Sequence, residues 1–346
     1  MTITHPTLGC YLLAGGAQDP RVLIDEVRDA DRLGLSTAFI SERFNVKEAA
    51  SLTGAAVAAS SQVTIGTAAT NHNTRHPVVT ASWALTLQKL SAGRFMLGLG
   101  RGVPVLFNAF GIPAITTAEL EDIAHLMRRL WRGEVVIGHD GPAGSWPVLV
   151  LDPEIREEIP LALVAFGPNS LELGGRVFDH VILHTFFTDE TLQRCVRTVK
   201  QAAERAGRDP DDVVVWSCYA TIGDHLPEEV RLQRTVGRLA SYLQGYGDLM
   251  VATNDWDPAV LARFRADEWV AGYRRAIDTH ATTAELEHVA TLLPDEWLAP
   301  SATGSPKQCA AAIERQMELG ADRVIMHGAS PNELEPVLRH LSSTEA

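Results

Sequence analysis

LSAGRFMLGLGRG, residues 90–102, places Gly98, Gly100 and Gly102 at alternate positions at the end of a short apolar run, and Pro104 follows. Alternate residues of a strand share a face, so three missing side chains in a row mean that something lies against that backbone. A dinucleotide fingerprint is the first rival, and it fails. G-x-G-x-x-G needs glycine where Val103 stands, and Pro104 is read as blocking the helix that should receive a pyrophosphate directly. The residues alone leave two readings open: glycines that fit tight barrel geometry, or a flat ligand lying against the strand end.

Outward from this stretch the chain alternates between short apolar runs and helical periodicity. TLGCYLL (7–13), STAFIS (36–41), QVTIGTAA (62–69) and RFMLGLG (94–100) read as four strands separated by helical segments. Leu23, Val27, Ala30 and Leu33 recur at helical spacing before Gly34, and Pro77 is placed to open the helix that runs to about Leu90. PLALVA (160–165), HVILH (180–184), VVVWSCYATI (213–222) and DRVIMHG (322–328) complete a set of eight, again with helical sequence after each. Two stretches interrupt the alternation: 133–160, where HDGPAG (139–144) predicts a β-hairpin read as a flap, and 223–304, a longer helical insertion. Eight continuous apolar strands with intervening helices predict an α/β fold, a (β/α)8 TIM barrel with insertions after strands 4 and 7, as one domain over residues 1–346.

Chemistry in such a barrel gathers at the C-terminal ends of the strands, which turns the strand reading into a set of candidates. Glu42, Arg43 and Phe44 follow strand two; Thr70, Asn71, His72 and Asn73 follow strand three; Gly100, Arg101 and Gly102 follow strand four. Phe166, Gly167, Pro168, Asn169 and Ser170 follow strand five, where a turn passes directly into a helix whose free N–H groups suit a phosphate. His184 follows strand six. His72, His184 and Tyr11 are the acid/base candidates, with His72 ranked first.

The composition sets limits on partners. The chain carries 30 Lys and Arg against 43 Asp and Glu, a formal net charge of −13, which argues against a broad basic field for nucleic acid or an anionic membrane surface. The first residues, MTITHPTLGC, lack a cationic segment followed by an apolar core, and no stretch approaches the length of a membrane span, so a cytoplasmic location is expected. Cys10, Cys195, Cys218 and Cys309 are scattered with no C-x-x-C pair, and the 12 histidines form no H-x-x-x-H, so no metal is expected.

Four blocks occur in order along the chain: S-E-R-F (41–44), I-G-T-A-A-T-x-x-x-x-R-H-P (65–77), L-S-A-G-R-F-x-L-G-L-G-R-G (90–102) and A-F-G-P-x-S-x-E-L-G-G-R-x-F-D (165–179). In these blocks the chain resembles the bacterial luciferase-like monooxygenase superfamily, and within it the oxidoreductases that use the deazaflavin coenzyme F420. The resemblance implies a dimeric TIM barrel, here a homodimer, with the cofactor at the C-terminal mouth. It puts the ring near Ala68, Ala69 and Asn71, with a non-proline cis peptide at Ala68–Ala69. It puts Arg101 and Gly102 near the ribityl chain, and Phe166, Gly167, Asn169 and Ser170 around the phosphate. On this reading the alternate glycines let the cofactor tail pass over the barrel rim.

Departures from the family pattern matter equally. Several F420-dependent sugar-phosphate dehydrogenases have Asp-His where this chain has Glu42-Arg43, and Gly-Glu where it has Gly102-Val103, so the sugar-phosphate reaction is disfavoured. Glu42, Arg43 and His72 are the catalytic candidates that remain. The expectation is a hydride transfer between F420 and a small organic substrate. Its alternatives are an FMN-dependent monooxygenase served by a partner flavin reductase, and a non-catalytic F420-binding protein.

Overall fold

The computed structural model describes residues 3–13, 19–43, 45–152, 154 and 156–341; Phe44 lies outside them. Eight parallel strands, β1 (His5–Tyr11), β2 (Leu35–Ile40), β3 (Thr64–Thr67), β4 (Phe95–Leu99), β5 (Leu161–Val164), β6 (His180–Ile182), β7 (Val214–Gly223) and β8 (Arg323–His327), pair in chain order, and β8 returns to β1 to close the ring. The (β/α)8 expectation therefore holds. Strand residues face the barrel interior on one side and the helix layer on the other, which is why the strands read as unbroken apolar runs. Inside, Phe39 and Trp216 meet edge to face with centroids 5.2 Å apart, and Met96, Ala162, Ile182 and Ile325 fill the remaining space.

Local sequence signals place the helices. Gly34 (φ +70°) and Gly320 (φ +106°) end the helices Leu23–Arg32 and Pro306–Glu318, as a left-handed residue does at low cost only when it lacks a Cβ. Helix Thr117–Trp131 starts with a reciprocal cap: Glu119 N–H donates to Thr116 Oγ1 at 3.2 Å and Thr116 N–H donates to the Glu119 carboxylate at 2.5 Å. Pro104 does not block a helix, and the sequence reading is corrected there. It opens the short helix Pro104–Ala109 at the first-turn position, where its missing N–H would have had no partner.

Both interruptions of the alternation are present. Val136–Gly141 and Gly144–Leu149 form the expected antiparallel hairpin. Its tip is held to the outer helix Thr117–Trp131, where Asp122 accepts from Ala143 N–H at 3.0 Å and pairs with His139 at 3.0 Å, and Trp146 stacks on His139. The second insertion runs from helix Glu228–Leu232 through a π-helical turn, Gln233–Gly237, into helix Arg238–Asn254, and on through five further short helices to the strand Ala302–Gly304, which pairs with β7. It has its own apolar centre, in which Trp256 stacks on Trp297 at 4.4 Å, and this centre continues onto Phe186, Ala220 and Ile222 of the barrel.

Candidate active site

The end of β3 is tied to the start of the glycine segment by backbone bonds. The Ala68–Ala69 peptide is cis. Ala68 N–H donates to Ile40 O at 2.9 Å, Glu42 N–H to Ala69 O at 3.0 Å, Thr70 N–H to Gly98 O at 2.9 Å, and Gly100 N–H to Thr70 O at 3.0 Å. Asn71 Nδ2 donates to Gly100 O at 2.8 Å. A Cβ on Gly98 would strike the Thr67 carbonyl, one on Gly100 would lie 2.8 Å from Ala69 Cβ, and one on Gly102 (φ +72°) would strike the Phe107 ring. The question raised by the alternate glycines thus has a different answer from the one the sequence suggested. The chain's own β3 segment and Phe107 fill the space beside them, so their first duty is to admit that segment.

Glu42 sits at the junction of β2 with this segment, its side chain fully buried. Its carboxylate accepts from Ala49 N–H at 3.1 Å, Thr70 Oγ1 at 2.5 Å and both terminal nitrogens of Arg75, one at 3.1 Å and the other closer. A carboxylate has about four lone-pair directions, and here all are used. Arg75 is held in turn by Glu48 at 2.6 Å and lies over the Trp83 ring at 5.3 Å. This arrangement fixes the loop 41–49 against the β3 end.

A second group of donors stands at the end of β5. Gly167 precedes helix Pro168–Val177, which begins without a side-chain cap, and the nearest atom to a Cβ on Gly167 would be Leu249 Cδ1 at 3.9 Å. A side chain at Gly167 would therefore meet little. Arg101 lies beside it: Nε donates to Ser170 Oγ at 3.3 Å, and the two terminal nitrogens donate to Ile115 O at 2.7 Å and Thr117 Oγ1 at 2.5 Å. Arg101 is half-buried, with its proton affinity lowered by burial and opposed by Glu119. Asn169 is exposed at the same turn.

The mouth itself is lined by residues from both ends of the chain. Tyr11 hydroxyl donates to Ala68 O at 3.0 Å, and its ring meets His327 edge-on at 5.0 Å. His184 Nδ1 lies 3.1 Å from Thr185 O, an acceptor only, so Nδ1 carries the proton and Nε2 accepts from Tyr246 hydroxyl at 2.9 Å. Burial pushes His184 down to about 4, so this ring is neutral at pH 7. Tyr246 reaches it because helix Arg238–Asn254 is kinked there (φ −157°, ψ 38°). Tyr242 stacks on Tyr246, with centroids 5.5 Å apart, and Arg238 pairs with Asp278 at 2.9 Å. Lys47, in the loop after β2 just ahead of helix Ala49–Ala59, is buried and donates to Ser41 Oγ at 3.0 Å. Burial, reinforced by Arg43 and Arg238 and opposed by Glu26, lowers it to about 7.

The candidates fall into three places. Glu42, Ala68, Ala69 and Asn71 share the β2–β3 rim; Arg101, Gly167, Asn169 and Ser170 share the β5 turn; Phe166 joins that turn to the mouth, its ring 4.7 Å from His184 and 5.8 Å from Tyr246. Arg43 is exposed beside Lys47, with which it exchanges backbone bonds. His72 directly follows Asn71; it is buried, its charged neighbours are Glu119 and Asp122 on the outer helix, and burial lowers its proton affinity. Sequence reading missed Lys47, Arg75, Arg238, Tyr242, Tyr246 and His327. Two signals were available, since Arg75 stands inside the R-H-P block and His327 ends strand eight, whereas nothing local marks three residues of an insertion helix.

Among the described residues no group of three or more His, Cys, Asp and Glu is placed to hold a metal, and no helix is long and apolar enough to cross a membrane. The chain is 25% identical over 302 residues to 5,10-methylenetetrahydromethanopterin reductase of Methanolobus tindarius, covering 86% of each chain. It is 26% identical over 337 residues to F420-dependent glucose-6-phosphate dehydrogenase of Intrasporangium calvum, covering 91% of this chain and 90% of that one. The coenzyme F420-dependent tetrahydromethanopterin reductase structure from Methanopyrus kandleri superposes with a TM-score of 0.81 at 19% identity, over 97% of this chain and 98% of the other. With the luciferase-like monooxygenase model matching residues 2–323, the chain belongs to the luciferase-like monooxygenase family.

Proposed function

We propose that the chain is a coenzyme F420-dependent oxidoreductase acting on a small organic substrate at the barrel mouth. The observation that carries the reading is the open helix start at Gly167 with Arg101 and Ser170 beside it, at the strand ends of a barrel whose named relatives include F420-dependent enzymes. These residues fit a phosphate-bearing cofactor tail. Backbone N–H groups at a helix start, a hydroxyl and a guanidinium are the donors such a group needs, and Gly167 puts no side chain in its way. Ala68, Ala69 and Asn71 would support the ring, and Gly102, Phe166 and Asn169 would flank the tail.

When bound, the deazaflavin supplies hydride chemistry at its C5 carbon. The protein's own residues supply placement. Glu42, saturated by Arg75, Thr70 and Ala49, acts as a positioning residue for the β3 segment; Arg43, Lys47, Tyr11 and His184 meet the substrate. The same reading includes a homodimer, to which exposed Val79 and Leu90 offer apolar surface, and a cytoplasmic location, consistent with four buried free thiols. Sedimentation velocity tests the first. Equilibrium dialysis against F420 and, separately, FMN tests the cofactor. Tighter binding of F420 is expected, and tighter binding of FMN overturns the assignment in favour of a flavin monooxygenase.

A further inference from the structure

Three cations from two distant parts of the chain come together at the mouth. Arg43 and Lys47 come from the loop after β2, and Arg238 comes from the first turn of the insertion helix, immediately after the π-helical turn Gln233–Gly237. A π-turn re-aims the residues that follow it and is common at functional sites. Lys47 is buried with one side-chain partner, the neutral hydroxyl of Ser41, and neither Lys47 nor Arg43 forms an ion pair among the described residues. The groups facing Lys47 are Arg43 on its own loop, Arg238 on the insertion helix, Glu26 on helix Leu23–Arg32, and His327 on β8. Of the two carboxylates nearby, Asp278 is paired with Arg238, and Glu26 accepts from Leu13 N–H at 2.6 Å. His327 Nδ1 is buried and has no hydrogen-bond partner among the described residues. In a chain with thirteen more acidic than basic residues, Arg43 and Lys47 thus stand together with no carboxylate paired to either among the described residues, beside an Arg238 that Asp278 already holds.

We propose that Arg43, Lys47 and Arg238 form a receiving site for a compact anionic group, a carboxylate or a phosphate, carried by the substrate. The assignment of that group to a substrate rests on the function proposed above; the anion site itself rests on the cluster. With Lys47 and Arg238 buried and Arg43 exposed, guanidinium and ammonium donors bind such a group through charge-assisted bonds that bulk water would weaken. Arrival of the anion also reverses the cause that keeps Lys47 partly neutral, since an opposite charge favours the ammonium form. Binding near pH 7 is therefore accompanied by proton uptake. The cofactor's own phosphate belongs at the Gly167 turn, a separate set of donors, so the two anions do not compete.

The test is titration calorimetry with inorganic phosphate and with succinate, into the protein alone and into the protein saturated with F420, at pH 7 in two buffers of different protonation heat. At least one probe is expected to bind in both states with proton uptake. Lys47→Met, an apolar replacement of a buried side chain, is expected to abolish the uptake and weaken the probe about ten-fold, and Arg43→Gln, at an exposed position, to weaken it several-fold. Three results overturn the proposal: neither probe binds, Lys47→Met binds with unchanged affinity and uptake, or F420 expels the probe and so places it in the phosphate cradle. Failure of F420 to bind while the probe response persists overturns the cofactor reading and leaves the anion site standing.

Discussion

The β3–β4 rim and the insertion helix Arg238–Asn254 meet at the same mouth but are built in opposite ways. In the rim, contact is backbone to backbone, glycines are filled by neighbouring chain, and Glu42 has no lone pair to spare. In the insertion helix, contact is side chain to side chain, and two breaks in the helix, the π-turn before Arg238 and the kink at Tyr246, aim polar groups at the strand ends. The rim is therefore a fixed frame, and on the function proposed above the insertion is where this chain would adapt the frame to a substrate. Such a division is what allows one barrel to carry many chemistries.

If the rim is a frame, breaking its buried ion pair should have the largest effect on folding. Arg75→Ala leaves the Glu42 carboxylate buried without its main partner, and removal of one member of a buried pair costs about 3–5 kcal/mol. Urea unfolding followed by circular dichroism measures it. A loss below about 1 kcal/mol, the range of exposed pairs, would show that loop 41–49 stands without this pair.

Lys47 sharpens the comparison from the mouth side, because a residue kept for chemistry is paid for in stability. Its folded value, about 7, lies below the ordinary lysine value of 10.5, so between these limits the unfolded chain binds the extra proton and stability rises with pH. Below about pH 7 the full penalty is present; above about pH 10.5 it is gone. Lys47→Met is accordingly expected to raise the melting temperature, by a gain equivalent to up to about 5 kcal/mol at pH 6.5 (~1.4 kcal/mol per unit of the shift) that shrinks towards zero above pH 10. Thermal melts across pH 6–10 measure this, and a gain that does not change with pH would mean that Lys47 is solvated.

The glycines offer a paired test. Gly98→Ala drives a Cβ into the Thr67 carbonyl, a backbone atom that cannot rotate away, and overpacking of this kind costs about 1–3 kcal/mol. Gly167→Ala meets nothing closer than 3.9 Å and should leave the melting temperature nearly unchanged while weakening F420 in fluorescence titration. The reverse pattern would exchange the roles of the two positions.

How much of this the sequence carries follows from the same division. Rim residues lie close together along the chain and interact through geometry that recurs with the motif, so Ala68–Ala69, Asn71 and the strand-five turn are readable from four contiguous blocks. The barrel is readable because each strand is apolar on both faces. Arg238, Tyr242 and Tyr246 are not readable, because their placement depends on two helix irregularities and on partners, His184 and Asp278, that lie 62 and 40 positions away from Tyr246 and Arg238 respectively. Lys47 is missed for another reason: a lysine near a helix start looks solvated until the insertion is seen to cover it. The alternate glycines mislead because a ligand and a neighbouring strand segment leave the same trace in sequence.

The smallest effect tests whether the insertion helix touches chemistry without holding the frame. Tyr246→Phe removes one hydroxyl, the donor to His184 Nε2, and keeps the ring that stacks on Tyr242 and meets Phe166. A net hydrogen bond of this type contributes about 0.5–1.5 kcal/mol, so unfolding should shift by no more than that. His184 is held neutral chiefly by burial, and its Nδ1–H still donates to Thr185 O, so the ring stays in place but its Nε2 is left to find another donor. F420 affinity should therefore stay within about two-fold, because the Gly167 turn and Arg101 do not depend on that hydroxyl, whereas turnover of an accepted substrate should fall. If instead F420 affinity drops ten-fold with stability unchanged, the insertion helix belongs to the cofactor cradle, and the separation between a fixed rim and an adaptable insertion does not hold for this barrel.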